Sequence, residues 1–298
     1  MNEEIFEHYS QAGAIAAAAR DYGVSCIKPE VTLLEIASKV EQFILERGAG
    51  IAFPVNIAIN EVAAHYSPCL DDTKTILKGN LVKLDVGAHV HGYIADTATT
   101  INVGTHEYDA LISASEESLS MAIKHMKPGV AVSEIGKIIE QCIVSKGFRP
   151  IENLTGHSLE QYNLHAGLSI PNVTSVNDGI IKKDDVLAIE PFSTNGLGVV
   201  SAGKGSNIYR LTGSFRTRLV RDQRTRFVVT KLNKRFKTLP FAQRWCNEFS
   251  NNIDPLLKRL TMLGVLQHYP QLIEKNNGMV AQAEHTVIIT DNGCEVIT

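Results

Sequence analysis

Two stretches of the chain, PEVTLLEIASKVEQFILERG from Pro29 and PGVAVSEIGKIIEQCIVSKG from Pro128, are variants of one unit. Pro29, Val31, Glu35, Ile36, Glu41, Gln42, Ile44 and Gly48 match Pro128, Val130, Glu134, Ile135, Glu140, Gln141, Ile143 and Gly147. An internal repeat constrains the fold strongly, because both copies must bury equivalent apolar faces. Apolar residues at i, i+3 and i+4 spacing, such as Ile36, Val40, Phe43 and Ile44, predict a helix in each copy. Thr32 and Glu35 have capping-box spacing, and each copy stops at a glycine suited to a left-handed C-terminal turn.

The likeness continues downstream, where KGNLVKLD, ending at Asp85, lines up with KDDVLAIE, ending at Glu190. Each is a polar turn followed by an apolar strand that finishes in an acid. Two such halves bring a carboxylate to equivalent places, and packed face to face they enclose a shared cleft. Residues 1–21 and 106–126 read as further helices and residues 51–60 and 286–290 as strands, giving a mixed α and β domain. Residues 203–270 break the pattern with helical runs such as RFVVTKLNKRFK and DPLLKRLTMLG and read as an insertion.

The stretch KLDVGAHVHGYIADTATT, residues 83–100, reads as an apolar hairpin carrying Asp85 and Asp96. If the two are direct cross-strand partners, the turn centres on Val90 and His91, and the Cβ atoms lie about 5 Å apart on one face. Two buried carboxylates that close repel, and one is driven to keep its proton. A divalent cation, or a pair about 3.5–4 Å apart, removes the conflict. Three more segments set a ligand type against an apolar strand: NLTGHSLE with His157, VLAIEPF with Glu190 and MVAQAEHTVII with Glu284. One imidazole and four carboxylates suffice for two metals when carboxylates bridge, with a position left for water. Glu190 and Glu284, the apparent counterparts of Asp85 and Asp96, stand on either side of the insertion, which therefore fills the second hairpin.

The ordered set LD, ADTA, GH, IEPF and AEHT resembles the five-ligand site of the pita-bread metallopeptidases, and of the type 2 methionine aminopeptidases in particular. FPVNIAINEVAAHYSP (residues 53–68), GHSLEQYNLHAG with IPNV after it, and TLPFAQRW (residues 238–245) resemble that family too, so the likeness runs end to end. It implies one catalytic domain over residues 1–298, of the α+β pita-bread class, with pseudo-twofold duplicated halves and an inserted helical subdomain at about residues 203–270. The implied activity is removal of the N-terminal methionine from nascent proteins and peptides. The nucleophile is water or hydroxide held by two divalent ions, with manganese, iron, cobalt and zinc all compatible. By the same resemblance Asp85 chelates one ion, His157 and Glu190 hold the other, and Asp96 and Glu284 bridge them. Glu190 carries the added expectation of a proton shuttle. His65 and His165 resemble the two histidines that the family directs at the substrate, one toward the scissile carbonyl and one toward the peptide backbone. Phe53 and Leu164 match positions of the apolar methionine pocket, where a thioether suits aromatic contact. In the insertion RTRLVRDQRTR departs from the family pattern and leaves that side of the pocket unassigned.

Composition narrows the partners. A net charge of −3 is too weak a whole-protein field to capture nucleic acid. Residues 209–237 nevertheless concentrate Arg210, Arg216, Arg218, Arg221, Arg224, Arg226, Lys231, Lys234, Arg235 and Lys237, a stripe that reads either as a ribosome contact or as a solvated helix face. The acidic start MNEEIF is unlike a secretory signal, the longest apolar runs fall short of the roughly 20 residues a membrane helix needs, and the five scattered cysteines fit reduced thiols. A cytoplasmic protein with no membrane segment is expected, and the lack of a heptad seam favours a monomer. Two other readings use the same fold: a proline-directed peptidase with the same five ligands, whose relatives normally carry a large additional N-terminal domain, and a ribosome- or RNA-associated binding protein.

Overall fold

The computed structural model describes residues 1–176, 179–212, 222–249 and 253–298, with Arg224 by its backbone alone. The first half runs α1 (Glu3–Cys26), α2 (Leu33–Glu46), β1 (Gly50–Ile59), β2 (Val62–Ala64), β3 (Leu81–Val90) and β4 (Tyr93–Asn102). The second begins with α3 (Asp109–His125), α4 (Val132–Ser145), β5 (Arg149–Pro150), β6 (Thr155–Ser158), β7 (Ser169–Pro171), β8 (Val186–Ile189) and β9 (Phe192–Thr194). A lobe follows, made of β10 (Val200–Leu211), α5 (Gln223–Phe236), β11 (Phe241–Ala242), α6 (Asp254–Met262) and β12 (Leu266–Glu274). The chain then returns to the second half through β13 (Val280–Gln282), β14 (His285–Ile289) and β15 (Cys294–Val296).

The repeated units are the helices α2 and α4. The Thr32 hydroxyl accepts the Glu35 amide at the start of α2, and Gly48 and Gly147 follow the two helices with φ of 78° and 82°. The correspondence extends to a crossing strand in each half. Ile76 donates to the Val31 carbonyl and Glu30 to Ile76, while Ile181 donates to Val130 and Gly129 to Ile181. Each half has its own apolar core, with Ile36, Val40 and Ile44 fully buried in one and Ile135, Ile139 and Ile143 in the other.

In the first half the sheet order is β1-β3-β4; in the second, β8 joins β6 to β14 and β9 joins β5 to β13. The halves are zipped where β4 runs beside residues 282–286. The Glu284 amide donates to Ala98 O at 3.0 Å. The Thr100 hydroxyl exchanges hydrogen bonds with the Gln282 backbone at 2.7 and 2.8 Å. The Thr286 hydroxyl accepts the Asp96 amide and donates to the Asp96 carbonyl, both at 2.8 Å. Along this seam the backbone is satisfied by threonines and main chain.

The hairpin differs from the expected register. Val90 pairs with Tyr93, Gly87 with Asp96, and Asp85 with Ala98, so the turn is His91–Gly92 and the two acids are diagonal neighbours rather than direct partners. The reason is the turn chemistry: His91 and Gly92 have φ of 52° and 92°, the paired positive values of a two-residue hairpin turn. A shift of two residues preserves the face, so Asp85 and Asp96 still point the same way. Direct opposition occurs instead in the second half. There the register Ile189↔His285 and Phe192↔Gln282 sets Glu190 across from Glu284.

The lobe lies between β9 and β13, inside the second hairpin. We propose it as the inserted subdomain; its helices pack on the two long antiparallel strands β10 and β12. Those strands escape a pattern reading because residues 201–205, SAGKG, are exposed and poor in apolar side chains. The sheet β11-β10-β12-β2 joins the lobe to the first half through β2. A buried clasp reinforces it: Arg244 pairs with Glu41 of α2 and donates to Ser67 Oγ at 2.8 Å, and Trp245 Nε1 donates to Glu41 at 3.0 Å.

Replacing Thr286 with valine strands the buried Asp96 amide and carbonyl, and leaving such groups unpaired costs about 1–3 kcal/mol. The expected outcome is a loss of that order in chemical denaturation, with secondary structure retained in circular dichroism.

Candidate metal centre and substrate cleft

One cleft is lined by Asp85, Asp96, His157, Glu190 and Glu284 together with His65, His165, Phe53 and Leu164. All nine residues singled out in the sequence therefore meet in one place, drawn from β1, β3, β4, β6, the loop between β6 and β7, and the segments around β2, β8 and β14. His157 sits on β6 opposite Ala188, which puts its Nε2 3.7 Å from Asp96 Oδ2 and 3.8 Å from Glu190 Oε1. Ligand atoms each about 2.1 Å from a shared ion lie roughly 3–4 Å apart, so these spacings suit a common cation. Ligand atoms of Asp96, His157 and Glu284 lie within 4.8 Å of one another, all buried.

The two histidines arrive by different routes. His65 follows β2 with φ of 62°, and its ring meets Tyr269 of the lobe edge-on at 5.2 Å. Spacing alone would carry His165 along a regular strand or hairpin eight residues past His157. The structure delivers it by a tight loop instead, in which Glu160 and Asn163 bridge and Ala166 N donates to Ser158 O at 2.9 Å. The His157 and His165 rings lie 4.4 Å apart. His285 turns away from the acids to Thr298 Oγ1 at 3.0 Å, as adjacent strand positions require.

The electrostatics express a conflict. Burial pushes the Asp85 carboxyl up to about 7. Burial and then mutual repulsion push Asp96, Glu190 and Glu284 well above the carboxylate range. Burial lowers His157 to about 3 and both His65 and His165 to about 4, so these imidazoles are neutral and the 3.7 and 3.8 Å contacts are not ion pairs. Asp85 Oδ1, Asp96 Oδ1 and Glu284 Oε1 are buried without a hydrogen-bond partner. Oxygen-rich, unpartnered and aimed into one volume, this donor set fits hard divalent cations.

Asn56, Ala64, Ile208, Pro240 and Tyr269 also line the cleft and were not singled out in the sequence. Ile208 and Tyr269 belong to β10 and β12 and Pro240 precedes β11, so the lobe builds one wall. Much of RTRLVRDQRTR lies outside the described residues. Phe53 packs over Gly87, where any Cβ would overlap its ring.

The pattern of metallopeptidase family M24 matches residues 7–291. The chain belongs to metallopeptidase family M24. It is 44% identical over 299 residues to the methionine aminopeptidase of Methanocaldococcus jannaschii, covering 100% of both chains. Identity to the methionine aminopeptidase of Saccharolobus solfataricus is 44% over 301 residues, covering 100% of this chain and 99% of the other. Among solved structures, the methionine aminopeptidase of Thermotoga maritima aligns with TM-score 0.74 at 22% identity, covering 100% of this chain and 98% of that one. A thermophilic Arx1 aligns with TM-score 0.87 at 17% identity, covering 100% and 91%. Prolidase from Pyrococcus furiosus aligns with TM-score 0.64 at 20% identity, covering 100% and 64%. These structural likenesses show the pita-bread fold shared across M24. As an M24 metallopeptidase the chain uses divalent metal ions, for which the cleft holds a matching donor set.

Metal and protons compete for the same oxygens. With the Asp85 carboxyl near 7, affinity for manganese rises as pH increases from 5 to 8, and binding below pH 7 releases protons. His157, near 3, supplies none of them. Titration calorimetry at pH 6 in buffers of different ionisation enthalpy measures that release. A value of zero would mean that the carboxyls are already ionised before the metal arrives, contrary to the upward push of burial.

Proposed function

We propose that the chain removes the N-terminal methionine from nascent proteins and peptides as a type 2 methionine aminopeptidase, in the cytoplasm and as a monomer. The observation that carries this reading is the convergence of nine side chains on one cleft, four acids and three histidines together with the apolar Phe53 and Leu164. In this reading Asp85 would chelate one ion, His157 and Glu190 would hold the other, and Asp96 and Glu284 would be shared by both. Bound divalent ions supply Lewis acidity, making water a nucleophile near neutral pH and polarising the scissile carbonyl.

The remaining chemistry belongs to the chain. His65 and His165, with pKa values near 4, are neutral at pH 7. Each ring can therefore donate one hydrogen bond, one of the two to the scissile carbonyl oxygen and the other to the peptide backbone. Glu190, at the rim of β8, is assigned to carry a proton to the leaving amine. Phe53 and Leu164 receive the thioether, and the apolar Ile208 and Pro240 from the lobe line the same cleft.

Manganese-loaded protein is expected to cleave a Met-Ala peptide and to leave Xaa-Pro peptides essentially intact. Asp96→Ala and His157→Ala should abolish turnover, and of His65→Ala and His165→Ala the one that removes the donor to the scissile carbonyl should lower kcat about 100-fold or more, the usual cost of losing a donor at a developing oxyanion. Near wild-type activity in either ligand variant refutes its assignment.

Ribosome contact through the basic stripe is proposed as an added property. Of that stripe, Arg235 is paired with Glu248 and Arg210 with Gln267, while Arg216, Arg218 and Arg221 lie outside the described residues. The face that supports the contact is on α5, where Lys231 lies 5.3 Å over the exposed ring of Phe227 and Lys234 stands in the last turn. Binding to ribosomes that weakens steeply with salt, and is lost in a Lys231→Glu/Lys234→Glu variant, is the expected result; salt-independent or absent binding removes this part of the proposal.

A further inference from the structure

Asn56 is neither one of the five metal ligands nor part of the methionine pocket, yet it is buried to 5% exposure on the wall of the same cleft. It stands on β1 directly opposite Asp85. Its side chain faces the cleft because β1 is bulged: Phe53 pairs with Gly87 and Asn56 with Asp85, so an extra residue is accommodated between them. Two positions that alternation would send to opposite faces thus look the same way.

The amide is oriented without ambiguity. Nδ2 donates to Pro54 O at 3.0 Å, and a flipped amide would set two carbonyl oxygens against each other. Oδ1 is therefore fixed as the free end, and it is buried without a hydrogen-bond partner. The polar neighbours across the cleft are carboxylates and neutral imidazoles. What the wall beside Asp85 asks for is a ligand rich in N–H donors. Five ionisable ligands already serve the metals, so a neutral amide oxygen adds little to ion binding.

We propose that Asn56 Oδ1 accepts a hydrogen bond from the free N-terminal amine of the substrate and so helps restrict the cleft to terminal residues. A terminal amine brings two or three N–H donors to this corner, whereas an internal peptide nitrogen brings one. The inference rests on the aminopeptidase reading and deepens it by assigning the group that senses the amine.

The test compares two ligands that differ only in the amine: L-methionine and its des-amino analogue, 4-(methylthio)butanoic acid. Binding to the manganese-loaded protein is measured by calorimetry, with manganese affinity measured separately. Asn56→Ala should weaken methionine by about 10- to 100-fold, the range for a hydrogen bond to a charged group. The des-amino acid should change less than about twofold, and manganese affinity should hold. Asn56→Ser, which keeps a small acceptor, should fall between and is read in the same way if the alanine variant fails to fold. Equal losses for both ligands, an unchanged methionine affinity, or a parallel fall in manganese affinity would each overturn the assignment. Wild-type protein that binds neither ligand would instead sink the methionine reading itself.

Discussion

Everything in this molecule is arranged around a repulsion. Four carboxyl groups share one cleft, Asp96 and Glu284 buried and Asp85 and Glu190 partly so, and without a counter-charge each raises the cost of ionising the next. A fold can hold such a set only if the surrounding backbone makes no demand on those oxygens. Here the threonines at positions 100 and 286 meet the main chain along the join between halves, which leaves the acids free for cations. The site is thus a product of duplication: each half contributes a hairpin with two acids, and the second adds His157 from β6.

Much of this was legible in the residues because burying a charge is rare enough to stand out. An apolar run that ends in an acid, as in VLAIEPF, is a conspicuous violation of pattern, and four acids set against apolar strands, with His157, pointed together to one cleft. The repeat was equally readable, since helices α2 and α4 keep their apolar spacing, glycine stops and acidic positions. The missed features are those that local pattern does not encode. The hairpin register turned on the backbone of His91 and Gly92, and the two-residue error cancelled only because side chains alternate with period two. Asn56 was hidden by a bulge that reverses its parity. Strand β10 was hidden by the exposed, apolar-poor stretch 201–205, whose pairing is decided by β12, far away in sequence, and β12 pairs in turn with β2 of the first half.

The paired helices also show how one ancestral residue diverges. Glu140 in α4 caps a local loop, accepting from the amide and hydroxyl of Thr174 at 2.8 and 2.5 Å. Its counterpart Glu41 accepts from the Val55 amide at 3.3 Å and also from Arg244 and Trp245 of the lobe. An acid that tidies a loop in one half thus became the fastening for an added wall in the other. Size of the insertion alone would not have fixed its attitude; a buried guanidinium held by a helix does.

His65 stands at the joint of that arrangement, one residue beyond a strand gripped on one side by the first half and on the other by β12, with its imidazole against Tyr269. The attitude of the outer wall is therefore written directly into where this ring sits relative to the acids. Any molecule that pries the rim apart, even one that never reaches the floor of the cavity, would shift the imidazole relative to the acids. The enzyme carries, in effect, a mechanical gauge of its own aperture.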